Sequence, residues 1–307
     1  MSAALPNPAV KAVLKITYKC NSRCLFCRAS DYRDPVADEP AETILKKALM
    51  AKARGAGMIL FSGGEPTLRR DIFLLAKGVR ALGLDFGLIT NGAMLANREY
   101  LDRLLELGLK YVHTSLHGST AATHSRLTCA HTFEPVMAAI ERLRGTGVEL
   151  HVNTVIALAN IDDLAAIGDL LAPFAPITHK LCLAEPRGFF EENEAELLVQ
   201  PELAGRAACQ EVIRTAAAYP ETGFKTVVEG FPLCQIRTAL DSVSNLETHN
   251  IIFMSEGFED EIYRSDHGQR EFPAICDGCA MRPSCPGVYP GYVRRFGVVG
   301  LRAFRQR

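Results

Sequence analysis

The sequence predicts an α/β protein built on a mostly parallel sheet and followed by a small cysteine-rich α+β extension. Three observations carry this. From residue 10 to about residue 184, short apolar runs rich in β-branched residues alternate six times with stretches whose apolar residues recur at helical spacing. Polar residues gather just past the ends of the strand runs, where a parallel sheet with outer helices exposes one common edge. Six of the ten cysteines fall in two tight groups, at 20–27 and 276–285, instead of being scattered as core thiols.

Taken in order, residues 10–18 alternate as a strand. Its exit loop carries Cys20, Cys24 and Cys27, spaced Cys-x3-Cys-x2-Cys, with Phe26 before the third. Ile44, Leu45, Ala48 and Leu49 mark a helix face that stops at Gly55; a strand at 58–61 then runs into Ser62-Gly63-Gly64-Glu65-Pro66. Ile72, Leu75, Ala76, Val79 and Leu82 form the next helical face, ended by Gly83. A strand at 85–90 ends in Thr90-Asn91-Gly92, and Asn97 caps a helix that turns Leu101, Leu104 and Leu105 inward. The strand at 110–116 ends in Ser115-Leu116-His117-Gly118. A helix over 133–143 leads to a strand at 149–157 that carries Asn153, Asn160 is expected to cap a helix over 161–171, and 177–184 is the last strand of the series. Glu191, Glu192, Glu194 and Glu196 then read as a solvated connector, and 203–219 as a helix with Pro201 near its first turn. From Phe224 onward Gly, Pro and Cys punctuate short segments, with a hairpin expected around 251–254. The expected division is a core over 1–190, a connector and helix over 191–222, and an extension over 223–307.

A net charge of −1 over 307 residues gives no signature of a nucleic-acid or membrane partner. No apolar run reaches the roughly 18 residues of a membrane span, and residues 1–10 lack the layout of a secretory signal, so a cytoplasmic location is expected. Ten cysteines in a reducing compartment point to metal or redox chemistry. Structural zinc closes its tetrahedron with a fourth ligand, but the next cysteine after Cys27 is Cys129. Three thiolates therefore suit an iron–sulfur cluster with one iron left open. Gly63 and Gly64 are expected to let backbone approach a ligand. Thr90, Asn91, Ser115 and Asn153 offer donors and acceptors at the strand ends, while His117 reads equally as a site residue or a satisfied core histidine. His113, His124 and His151 are not expected to be catalytic, and Cys129, Cys182 and Cys209, which match no motif, are expected to be buried or incidental. Cys234, Cys276, Cys279 and Cys285 supply four thiolates, enough for a closed iron–sulfur cluster or a zinc ribbon-like site.

At Cys20–Cys27 and at 62–66 the chain resembles the radical S-adenosylmethionine (SAM) superfamily. The resemblance implies a (β/α)6 partial TIM barrel with its chemistry at the C-terminal strand ends. It implies a [4Fe-4S] cluster on Cys20, Cys24 and Cys27, with SAM chelating the open iron. Gly63, Gly64 and Glu65 would then meet the SAM amino group, with Pro66 fixing the turn. Phe26 would pack near adenine or the cluster, and Thr90, Asn91, Ser115, His117 and Asn153 would line the cofactor. The Cys-x2-Cys-x5-Cys-Pro-Gly stretch, with Tyr289, Tyr292 and Phe296, resembles the SPASM-like or twitch extensions of that superfamily. It implies one auxiliary [4Fe-4S] cluster, with zinc as the alternative.

The activity so implied is reductive cleavage of SAM to a 5′-deoxyadenosyl radical that abstracts substrate hydrogen. Oxidative modification or crosslinking of a ribosomally made peptide is the leading reading; a small-molecule dehydrogenase or a cofactor- or nucleotide-biosynthesis enzyme is the second. A non-catalytic iron–sulfur scaffold or redox sensor is disfavoured by the intact Gly63–Pro66 segment. An external one-electron reductant of the flavodoxin or ferredoxin type is implied. Nine residues precede the first strand, so any peptide-recognition protein is expected to be a separate chain. The arginines at 294, 295, 302, 305 and 307 read as a solvated basic tail.

Overall fold

A computed structural model describes residues 10–28, 37–244 and 270–305 in full, and the backbone of 251–254 and 262–263. The strands are β1 (Val10–Thr17), β2 (Ala56–Gly63), β3 (Asp85–Ile89), β4 (Leu109–Ser115), β5 (Glu149–Ile156), β6 (Ile177–Leu183), β7 (Phe224–Glu229), β8 (Ile251–Met254) and β9 (Ile262–Tyr263). They form one sheet in the order β7-β6-β5-β4-β3-β2-β1-β8-β9. Every pairing from β7 to β8 is parallel; β9 is antiparallel to β8.

Between strands run α1 (Ala41–Ala53), α2 (Ile72–Ala81), α3 (Arg98–Glu106), α4 (Ala121–Thr128), α5 (Phe133–Leu143) and α6 (Leu164–Leu171). The even residues of β1, Ala12, Leu14 and Ile16, join Ile44, Leu75, Val79, Leu104 and Ile140 of the helices in the main core. The odd residues face the other way: Val13 packs with Leu60 and Tyr111 in a separate cluster. This period-2 split makes one face of the sheet the helix side and the other a lumen.

The sheet must curl. β1 and β5 are four strand spacings apart, about 19 Å across a flat sheet, yet Lys11 Nζ lies 3.4 Å from Glu149 Oε1 and 4.2 Å from the Tyr111 ring. The concave wall is the partial barrel.

Three features differ from the sequence expectation. α4 was not foreseen. β7 and β8 come from the 223–307 segment, yet they widen the same sheet beside β6 and β1, so the division at 222 is no break in the sheet. Asn160 does not cap α6; its amide donates to the carbonyls of His117 and Val155, at 2.9 and 3.0 Å, and its Oδ1 accepts from Ala157 N, tying β4 to the turn after β5. By contrast, Asn97 caps α3 as expected, accepting from Tyr100 N at 3.0 Å. The hairpin at 251–254 is present as β8 and β9.

After β6 come the short helices α7 (Phe189–Glu192) and α8 (Glu194–Leu197), then α9 (Pro201–Ala218) with proline in its first turn. α10 (Pro290–Phe296) packs back on the barrel: Tyr292 is buried and its hydroxyl donates to Ala184 O at 2.9 Å. The acidic connector and the basic stretch, read from sequence as separate solvated segments, pair with each other, Arg294 with Glu191 and Arg295 with Glu194.

Candidate radical SAM site

The C-terminal ends of β1 to β6 converge on one edge, and the cluster loop leaves the first of them. Cys20, Cys24 and Cys27 are all half-buried. Two elements hold the loop. On one side the turn after β2 grips its start: Gly64 N donates to Thr17 O at 2.7 Å and Glu65 N to Lys19 O at 2.8 Å. On the other, Arg23 N and Leu25 N donate to the carbonyls of Thr128 and Leu127 at the end of α4, at 3.0 and 2.9 Å.

This geometry gives the glycines a structural reason of their own. A β-carbon on Gly63 would be driven into the Thr17 carbonyl, and one on Gly64 into the carbonyls of Tyr18 and Lys19. Gly63 also has φ +130°, a region L side chains rarely adopt. The missing side chains let two pieces of main chain touch, so the turn bonds directly to the segment that enters the cluster loop. Glu65 extends the lock. It is wholly buried, and its carboxylate accepts from Thr67 N (3.0 Å), Thr67 Oγ1 (2.5 Å), Thr90 Oγ1 (2.7 Å) and Asn91 N (2.6 Å). Burial raises its pKa, with those four donors pulling the other way. Asn91 continues the chain of bonds: its Nδ2 donates to Asn21 Oδ1 at 2.7 Å and Ser22 Oγ at 3.3 Å, inside the cluster loop. Pro66 opens the short 3-10 turn that follows.

Phe26 meets the His117 ring edge-on, centroids 4.6 Å apart, and packs against Leu127, Phe190 and Leu197. His117 is buried and neutral; burial first, then the neighbouring His124, depresses its pKa. Its Nδ1 accepts from Val155 N at 3.2 Å, which leaves the ring proton on Nε2. Ser115 and Asn153 pair across β4 and β5, and Asn153 Oδ1 accepts from Cys182 Sγ at 2.8 Å. Sequence reasoning had set Cys182 aside as buried or incidental. Of the expected cofactor-lining positions, Gly64, Glu65 and Asn91 bond the cluster loop directly, Thr90 bonds Glu65, and Phe26, within the loop, meets His117. Reading the sequence missed α4, the second anchor of that loop.

The second thiol group is also brought together. Cys234, Cys276, Cys279 and Cys285 line one cavity with Pro232, Phe272, Met281 and Phe304. Phe304 N points at Cys279 Sγ (3.2 Å) and Gly287 N at Cys285 Sγ (3.5 Å), as Ser22 N does at Cys20 Sγ (3.4 Å). Burial raises the Cys234 and Cys276 thiols, and the other three cysteines push Cys276 further. Among the described residues no three His, Cys, Asp or Glu side chains form a group able to grip a single ion.

The family model of the radical SAM superfamily matches residues 14–171. Among curated proteins, Fe-coproporphyrin III synthase of Methanosarcina barkeri is 32% identical over 161 residues, 52% of this chain and 40% of that one. PqqA peptide cyclase of Methylobacterium sp. is 29% identical over 201 residues, 64% and 52% of the two chains. The chain thus spans about half the length of the curated relatives it matches. The fold is similar to that of Streptococcus suis SuiB bound to S-adenosylmethionine, with a TM-score of 0.69 at 15% identity, covering 97% of this chain and 76% of SuiB. With 14–171 spanning over half of its length, and the cysteine loop and the turn after β2 inside that stretch, the chain belongs to the radical SAM superfamily.

Proposed function

We propose that the protein cleaves SAM reductively and uses the radical for oxidative modification or crosslinking of a peptide. The observation that carries the reading is the loop of Cys20, Cys24 and Cys27, three thiols clamped between the Gly63–Pro66 turn and α4. The donor set fits a [4Fe-4S] cluster with an open iron. Cys20, Cys24 and Cys27 would hold that cluster, which, fed by an external one-electron reductant, would supply the electron for reductive cleavage of SAM to a 5′-deoxyadenosyl radical. The chain's own residues bind and orient. The carbonyls of the Gly63–Glu65 turn and the strand-end groups of Ser115 and Asn153 offer hydrogen bonds to the amino acid and ribose of SAM, while Thr90 and Asn91, bonded to Glu65 and the cluster loop, shape the wall beside it. Neutral His117, with its proton on Nε2, is a donor that burial keeps from taking up charge near pH 7.

The oxidative, peptide-directed part rests on the second thiol cavity, which suits an auxiliary cluster able to accept the electron left on substrate. Two relatives support it: PqqA peptide cyclase, and SuiB in a structure bound to precursor peptide SuiA. The identity to Fe-coproporphyrin III synthase favours a second reading, a small-molecule substrate. Iron counting tests the two-cluster reading. Anaerobically reconstituted protein should hold about eight iron per chain, and the Cys20→Ala, Cys24→Ala, Cys27→Ala triple variant about half of that. Four iron plus one zinc in the wild type would make the C-terminal site a structural metal centre.

A further inference from the structure

Residues 301–305 form neither helix nor strand, so their main-chain groups need partners outside regular structure. They find them around the second thiol cavity. Arg237, three residues past Cys234, donates through Nη2 to Arg302 O at 2.7 Å and to Ala303 O at 3.3 Å. Its guanidinium also lies over the Phe304 ring, 3.9 Å from the centroid. Ala280 N donates to Phe304 O at 2.8 Å and Arg305 Nη1 to Asp277 O at 2.9 Å, one on each side of Cys279.

These bonds draw a strap across the thiols. Leu301, Arg302, Ala303 and Phe304 line the cavity that holds the four cysteines, and Phe304 N points at Cys279 Sγ from 3.2 Å. Gly287 N reaches Cys285 Sγ from two residues along the same loop, but Phe304 N arrives from 25 residues away. A donor so remote in sequence stays on its sulfur only if something pins it, and the planar fork of Arg237 grips two successive carbonyls beside it. An N–H aimed at a cluster sulfur stabilises added negative charge and so raises the reduction potential. Opening the site to water also raises it, so losing the donor and losing the cover move the potential in opposite directions.

We infer that the 301–305 strap sets the reduction potential of the auxiliary cluster through the Phe304 N–H, with Arg237 as the positioning residue that holds it there. This deepens the proposed function and rests on its reading of the second thiol cavity as an auxiliary-cluster site. In that reading the carbon radical left by hydrogen abstraction gives one electron to the oxidised cluster and one proton to water. The N–H favours that transfer by stabilising the charge the cluster gains.

The test is a potentiometric titration followed by electron paramagnetic resonance, which requires no turnover. It uses the reconstituted Cys20→Ala, Cys24→Ala, Cys27→Ala protein, in which only the auxiliary cluster remains. Phe304→Pro removes the N–H together with the ring, whereas Phe304→Ala removes the ring alone, so their difference isolates the donor. At one fixed potential the Pro variant should hold about tenfold less reduced cluster relative to oxidised than the Ala variant, a fall of about 59 mV. Arg237→Lys keeps the charge but not the fork. It should speed hydrogen exchange over 301–305 and lower the potential by a smaller step, a fall that added water cannot mimic. This variant decides the matter should Phe304→Pro fail to take up iron. Equal potentials for the Pro and Ala variants, or an unchanged or higher potential with Arg237→Lys, overturn the inference; about four iron per chain in the triple variant then leaves the two-cluster reading standing. A triple variant that holds zinc in place of iron overturns both.

Discussion

Both oxygens of Glu65 are taken by protein donors, and that is a residue-scale lesson about motifs. The sequence singles out Ser62-Gly63-Gly64-Glu65-Pro66 as a ligand contact, but its acid and its glycines first hold the protein to itself. The buried histidines show burial setting protonation. His124 has its pKa pulled down to about 4 and His179 to about 3, chiefly by burial. A histidine whose folded pKa lies below its unfolded value of about 6.5 binds its proton preferentially in the unfolded chain. Its contribution is therefore fully present above about pH 6.5 and is lost as pH falls toward the folded value. For His124 the loss between pH 7 and pH 5.5 is about 1 kcal/mol. His124→Gln keeps an acceptor for His117 N and should lose less thermal stability over that step than the wild type. Equal losses would mean that His124 is solvated or already charged in the native protein.

At the scale of elements, the six strand–helix units were legible because glycines and strand-end polar residues punctuate them on both sides. α4 was not, because Ala121–Thr128 carries no apolar stripe; it buries His124, Leu127 and Thr128. β7, and the place of β8 in the main sheet, escaped for a different reason. Their partners, β6 and β1, are set by tertiary pairing that no local pattern reports. The coupling of turn and loop yields a prediction. Gly64→Ala would thrust a methyl into the carbonyls of Tyr18 and Lys19, so the variant should lose the iron of the first cluster, and not SAM affinity alone. Gly145→Ala, where the added carbon meets nothing within 4 Å, controls for glycine loss as such despite its φ of +76°. A Gly64→Ala protein that retains full iron and fails only to bind SAM would return the glycines to a direct ligand role.

At the scale of the whole molecule, the C-terminal segment belongs to the barrel as much as to its own site. Tyr292 bonds Ala184 at the end of β6, a β-carbon on Gly291 would strike Pro186, and Cys234 lies in the first short turn after β7. Ligands from both sides of a long loop couple metal binding to folding of that segment. Cys234→Ala should therefore halve the iron and speed hydrogen exchange over 270–296, while SAM cleavage at the first site continues. Normal exchange with full iron would make Cys234 a packed thiol.

The central claim is that the loop of Cys20, Cys24 and Cys27 supports homolysis of SAM. Reduced, reconstituted protein incubated with SAM and analysed by liquid chromatography with mass detection tests it most directly. The account predicts 5′-deoxyadenosine and methionine in equal amounts, slow without substrate and abolished by Cys24→Ala. S-adenosylhomocysteine in their place, or equal 5′-deoxyadenosine from the Cys24→Ala protein, would contradict it.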